Sequence, residues 1–222
     1  MKLSQLKIDP EFQSKIPPLQ FEEEQQLEQN IIAEGRLLNP IITWNGYILD
    51  GHTRYRILKK HGFIKFEVEE IQLANKYEAL AWICKNQLGR RNLSPERKKF
   101  LLGKEYESTK LAVGGQPGNC NKVNRCDQND YIDSEKRTCE RIAVEHGVGS
   151  ATVRRAEKYS RGIDAAEEAV PGAQEEILTG HIKATDEQIV ALASIPKEER
   201  PAILEELKKK KSDRDDTLLE RL

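Results

Sequence analysis

The stretch Thr43-Trp44-Asn45-Gly46-Tyr47-Ile48-Leu49-Asp50-Gly51-His52-Thr53-Arg54-Tyr55-Arg56 constrains the fold more than any other part of this sequence. Asn45-Gly46 tolerates positive φ at both central turn positions. β-prone residues flank it, Ile41 to Trp44 before and Tyr47 to Leu49 after, so the sequence predicts a two-strand hairpin. At Asp50-Gly51 the spacing becomes helical, with Tyr55, Leu58 and Lys59 on one side and Ile57 bordering it. A strand that ends in Asp-Gly and opens a helix with His, Thr and Arg sets polar groups at a helix N-terminus. The unpaired N–H groups there favour an anion such as phosphate. The same spacing also suits an ordinary strand-to-helix turn.

Around this stretch the sequence predicts a mixed block. Residues 1–20 contain Asp9-Pro10 and Pro17-Pro18 and read as extended or looped. Phe21 to Glu34 reads as a charged helix that buries Leu27 and Ile31 and stops at Gly35. Gly62 ends the helix after the hairpin, Lys65 to Ile71 alternates as a strand, and Asn75 to Gln87 is helical. Ser94 before Pro95 is an N-cap followed by a first helical residue, which predicts a helix from Pro95 to about Ala112. Val113 to Asp133 is rich in Gly, Asn, Asp and Gln, the composition of a connector. Beyond it the chain reads as helical nearly to its end.

The expected architecture is therefore an α+β N-terminal domain, a small sheet with helices, followed by an all-α domain. The expected divisions are residues 1–112, a linker over 113–134, a helical domain over 135–207 and a charged tail over 208–222. A net charge of −1 excludes a uniformly basic nucleic-acid binder and points instead to a local basic patch. No run reaches membrane-span length and Met1-Lys2-Leu3-Ser4 lacks a signal-peptide core, so the expectation is a cytoplasmic protein with no membrane partner. Cys84, Cys120, Cys126 and Cys139 read as reduced thiols. A metal set of Cys120, Cys126, Cys139 and His146 lacks the short paired spacing of structural zinc sites, and no metal ligand is assigned from it.

The patch lies in Thr138 to Tyr159. Two helices that cross tightly need a small residue on the first, a glycine in the turn and apolar anchors on the second. Ala143 is the small residue and Gly147 the turn glycine, with Ile142, Val148, Val153 and Ala156 as anchors. Ser150 can cap the second helix. From Ser150 to Arg161 the basic residues Arg154, Arg155, Lys158 and Arg161 face a single acid, Glu157. This reads as a helix-turn-helix whose second helix enters the major groove. Ser150 and Thr152 would face bases, and Arg154, Arg155 and Lys158 would reach phosphates. A helical hairpin inside an all-α domain shares part of this pattern. Further breaks are expected past Gly162 and at Pro171-Gly172, then segments at Gln174 to Thr179 and Asp186 to Ser194 and a last helix from near Pro196.

Taken together, Gly35…Asn39-Pro40-Ile41, the hairpin, Asp50 to Arg56, Asn86-Gln87…Arg90…Leu93…Pro95-Glu96, the helix-turn-helix and Glu176-Ile177-Leu178-Thr179-Gly180…Ile182…Leu192 resemble the ParB-like family of the ParB/sulfiredoxin superfamily. The resemblance covers roughly residues 20–207 and suits a shorter member without the family's separate dimerisation domain. In the family's partition proteins the first motif, Gly-Glu-Arg-Arg, binds the triphosphate of CTP. Here Gly51 and Arg54 match, while His52 replaces Glu and Thr53 the first Arg. Asn86-Gln87 stand where the second motif has Glu-Asn, with Arg90 retained.

The resemblance implies Gly51, His52, Thr53, Arg54, Asn86, Gln87, Arg90 and Arg91 as binding residues for CTP or another nucleoside triphosphate with Mg²⁺. Losing a carboxylate weakens a magnesium site, so a regulatory phosphate role is favoured over more than a weak CTPase or NTPase activity. It further implies double-stranded DNA as partner, a homodimer, a partition ATPase as a candidate partner, and a role in partition or transcriptional regulation. Sulfiredoxins carry a reactive Cys where His52 stands, so their chemistry is not expected. The alternative is an enzyme of the same superfamily, a nucleotide hydrolase, nuclease or small-molecule kinase, with Asp50 and His52 as catalytic candidates. Free serine kinases of the superfamily carry the similar Asp-Gly-His-His-Arg.

Overall fold

The computed structural model describes residues 2–62, 64–90, 92–113 and 137–209. Within these the chain forms two compact units, Met1–Gln87 and Leu88–Leu222.

The first unit is built on a three-stranded sheet of order β2-β1-β3, with β1 Ile41–Trp44, β2 Tyr47–Asp50 and β3 Val68–Glu70. Asn45 and Gly46 both take positive φ, 50° and 76°, which turns β1 into β2 in the hand that suits twisted strands. The pairing runs Trp44↔Tyr47, Thr43↔Ile48 and, past an irregularity at Ile42/Thr43, Ile42↔Asp50. β3 returns parallel to β1. Successive strand residues point to opposite faces, and β2 uses both. Ile48 joins Ile31, Ile41, Tyr55, Ile57 and Leu58 in one core, while Leu49 joins Phe12, Ala79, Leu80 and Ile83 in another. The sheet is therefore covered on both sides, by helices α2 (Phe21–Glu34) and α3 (His52–Lys60) and by α1 (Pro10–Ser14) and α4 (Lys76–Leu88).

Local signals set most of these boundaries. Gly35, left-handed at φ 65°, ends α2. The Asn75 side chain accepts from the Tyr77 and Glu78 amides and starts α4. The expectation of a looped N-terminus is corrected in part: Leu3–Gln5 is a 3₁₀ turn, and Asp9-Pro10 opens α1. The Asp9 carboxylate caps the Glu11 amide at 2.8 Å and Pro10 takes the first helical position, where its missing N–H costs nothing.

Among the described residues the second unit is all-helical: α5 Pro95–Ala112, α6 Thr138–His146, α7 Ser150–Ala169, α8 Ala173–Leu178, α9 Asp186–Leu192 and α10 Arg200–Lys208. Ser94 caps α5 through the Arg97 amide, and Thr185 with Gln188 makes a capping box at α9. α7 is the spine, packed against α5, α6, α8, α9 and α10. Two glycines allow its closest approaches. A Cβ at Gly103 of α5 would sit 2.1 Å from the Ala156 carbonyl oxygen, and one at Gly162 would sit 1.9 Å from that of Ile189. The expected break past Gly162 is accordingly corrected: α7 runs through it, because the residue makes room for α9 rather than ending a helix. Lys104 ties α5 to α7, 2.7 Å from Asp164 and 2.6 Å from Glu107. Burial opposes its charge, but these carboxylates outweigh that and push it up to about 12.

The contacts of α5 lie with this helical unit, and the chain divides at 87/88, ahead of α5. Most of the expected 113–134 connector, with Cys120 and Cys126, lies outside the described residues, as do Arg91 and 210–222 of the expected tail. Among the described residues no helix is long and apolar enough to cross a membrane.

Candidate nucleic-acid interface and phosphate site

The helix-turn-helix is assembled from α6 and α7 over a core that α5 completes. Cys139, Ile142 and Ala143 of α6 meet Val153 and Ala156 of α7 and Leu102 of α5. Ile142 and Val153 are 2% and 0% exposed, and each stabilises the crossing by about 1.5–3 kcal/mol. Gly147 ends α6 at φ 65°. Its amide donates to the Val144 carbonyl and the Val148 amide to that of Ala143 at 2.9 Å, the paired bonds of a Schellman stop. Gly149 then occupies the N-cap of α7. Ser150, expected to cap, is instead the first helical residue and is half-buried.

Thr152, Arg154, Arg155 and Lys158 are all exposed. Arg154 and Lys158 lie one turn apart, and Thr152 and Arg155 form the adjacent row. Among the described residues, neither arginine nor Lys158 makes an ion pair. Glu157 does not offset them outward, because it is buried and bonded by Lys110 and by Arg161, the latter at 2.6 Å. Arg161, counted with the patch from sequence, is thus spent internally, on Glu157 and 3.9 Å from Glu107. The charge that α7 presents outward comes from Arg154, Arg155 and Lys158.

In the first unit, β2 delivers Asp50 to the start of α3, and Gly51, at φ 100°, is the N-cap. Gly51 itself has no side chain with which to cap the helix. The Arg54 guanidinium folds back to it: a Cβ on Gly51 would lie 3.1 Å from Nε and from Nη2 of Arg54. Nη2 bonds Asp50 at 2.6 Å and Nη1 donates to the Asn39 carbonyl at 3.2 Å. Thr53 is half-buried beside it. A phosphate suits this helix start, where backbone N–H groups and Arg54 meet, provided that Arg54 exchanges Asp50 for the anion. Magnesium suits it less, since it prefers one or two carboxylates and Asp50 is already engaged by Arg54.

His52 is buried at 7% exposure, and neither ring nitrogen has a hydrogen-bond partner among the described residues. Burial, with Arg56 adding, lowers its pKa to about 4 against the opposing charge of Asp50. It is neutral at pH 7. An unfolded histidine binds its proton near pH 6.5, so the unfolded state takes up more protons between about 6.5 and 4. The stability that His52 contributes is complete above pH 6.5 and falls as pH drops through that window. NMR titration should place the imidazole pKa near 4, and His52→Leu should flatten the pH dependence of urea unfolding over the same range. A pKa near 6.5 would refute the burial.

On α4, Asn86 is exposed, whereas Gln87 is fully buried and its side-chain amide makes no hydrogen bond among the described residues. Arg90 is exposed and belongs to the second unit. The structure thus joins Asp50, Gly51 and Arg54 directly. Sequence spacing gave no sign of the Asn39 carbonyl anchoring Arg54 or of a Glu105–His146 contact of 2.7 Å. Each depends on residues brought together only by packing.

No protein-family model and no curated protein sequence matches the chain. Among solved structures, a C2221 crystal form of a pNOB8-like ParB N-domain matches at 18% identity and TM-score 0.51, over 95% of this chain and 83% of that one. A second pNOB8-like ParB N-domain structure matches at 18% and 0.50, over 98% and 79%. C-terminally truncated chromosome-partitioning protein ParB from Caulobacter crescentus, complexed to the centromeric parS site, matches at 17% and 0.39, over 91% and 89%. The chain has a ParB N-domain-like fold, a small sheet with helices followed by a helical region.

Proposed function

We propose that this chain is a sequence-specific double-stranded-DNA-binding protein of ParB type, acting in plasmid or mobile-element partition or in transcriptional regulation. The carrying observation is the charge asymmetry of α7: Arg154, Arg155 and Lys158 are exposed and unpaired among the described residues, while Glu157 is neutralised inward. A helix that follows a tight glycine turn and presents cations beside Thr152 suits the major groove, with bases read near its N-terminus and phosphates gripped further along. The ParB N-domain-like fold supports the same reading. A single helix-turn-helix covers one half-site, so a homodimer on DNA follows, with a partition ATPase as a candidate partner and a cytoplasmic, DNA-associated location.

Selection from a random duplex library, followed by fluorescence anisotropy on the enriched site, tests this directly. If the three cations each neutralise one phosphate, log K should fall against log salt with a slope of about −3 per chain. Failure to retain any duplex at low salt would overturn the reading.

The start of α3, with Gly51, Thr53 and Arg54, is proposed as a regulatory phosphate site for CTP or another nucleoside triphosphate. Its support is a helix that starts on a glycine, with the Arg54 guanidinium folded over it. Equilibrium binding of labelled CTP and ATP, with and without the selected DNA, tests it. Absence of binding by both would remove the site and leave the DNA-binding reading intact.

A further inference from the structure

At the corner where α6 ends, Glu105, Glu145 and His146 each offer one ligand atom, and the three atoms lie within 4.8 Å of one another. The DNA-binding reading does not use this cluster. Glu105 reaches it from α5 and is 3% exposed, with its Oε2 2.7 Å from His146 Nε2. Glu145 is exposed and His146 half-buried. Glu145 and His146 form the last turn of α6, where the carbonyl ends of the helix favour a cation. A carboxylate, a second carboxylate and an imidazole are the donors that suit zinc and its first-row divalent neighbours, whereas calcium needs six or more oxygens.

We propose that Glu105, Glu145 and His146 form a zinc-class divalent-metal site that clamps the end of α6 to α5. Tetrahedral zinc with ligand bonds of about 2.0–2.2 Å holds its donors roughly 3.3 Å apart. The Glu105–His146 pair at 2.7 Å therefore opens by about 0.6 Å, and the proton that it shares leaves to solvent. Glu145, whose carboxylate already lies within 4.8 Å of the other two donors, supplies the third ligand, and water takes the fourth position. Because Gly147 follows His146 directly, the ion would hold the α6 end of the helix-turn-helix corner.

The test is isothermal titration of the full-length, reduced protein with ZnCl₂, read beside thermal unfolding. One ion per chain and a raised melting temperature are expected. Glu145→Ala, at an exposed position, should weaken binding about ten-fold or more with the apo fold unchanged. His146→Ala should abolish it. Cobalt substitution should show d–d bands without thiolate charge transfer. No uptake by the wild type, uptake unchanged in both variants, or a thiolate band would overturn the site.

Discussion

Replacing Arg154 and Arg155 together by alanine is expected to lower affinity for the selected duplex by about 30- to 1,000-fold while leaving the fold intact. Each side chain is exposed and unpaired among the described residues, so its loss breaks no internal ion pair. A phosphate or base contact is worth roughly 1–2 kcal/mol in such a patch, hence about 2–4 kcal/mol for the pair. Salt dependence distinguishes the two kinds of contact. If both arginines grip phosphates, the slope of log K against log salt becomes shallower by about 2. If one reads a base edge, the slope falls by about 1 and tolerance of a changed base pair rises. Unchanged affinity and slope would show that DNA lies elsewhere. Arg161→Ala is the contrasting variant. Arg161 is committed to Glu157 and Glu107, so its removal should act on stability more than on the salt slope.

Gly162→Ala is expected to destabilise the helical unit by about 2–3 kcal/mol, although alanine is the better helix former. Propensity alone would reward the change by about 1 kcal/mol in a helix interior. Sterics decide the sign: the new methyl would stand 1.9 Å from the Ile189 carbonyl oxygen and 2.6 Å from its carbon, and backbone cannot rotate away as a side chain can. α9 must retreat, with the overpacking cost that this brings. In urea, with an m-value of about 1–3 kcal/mol/M, the midpoint should drop by about 1 M or more. A variant as stable as the wild type would mean that α7 and α9 do not meet there.

Gly162 also shows where sequence reading stops. A glycine inside a polar helical pattern looks like a break, and the reason for keeping it is the backbone of Ile189, beyond two intervening turns. Asp9-Pro10 reads as a loop and yet opens α1 for a different reason, because the same pair can start a helix or interrupt one. By contrast, α2 and α5 begin and end where read, since Gly35 and Ser94-Pro95 are local stops and starts. The hairpin was equally legible from Asn45-Gly46.

The candidate sites divide in the same way. The outward row Thr152, Arg154, Arg155 and Lys158 follows from helical spacing once Val153 and Ala156 are taken as the buried face. The Arg161–Glu157 pair, four residues apart on α7, follows from the same helical spacing, whereas the burial of Glu157 and of His52 needed the packed units around them. Glu105 stands far from Glu145 and His146 in sequence, so their meeting left no trace in spacing.

α7 carries the residues proposed to read DNA at one end, where Val153 and Ala156 also seat it against α6 and α5, and it meets α9 at Gly162. Ser150 and Gly162 are about 18 Å apart along the axis at the usual helical rise. Between those two points Ala156 rests on Gly103 of α5 and Val153 on α6, so a tilt of α7 at Gly162 would carry both helices with it. A tilt of about 3° where α9 bears on it would move the first residue by about 1 Å, enough to lengthen a hydrogen bond past use. Whatever presses on α9, from a partner chain to a substituted side chain, would reach the far tip only by moving α5 and α6 together with α7.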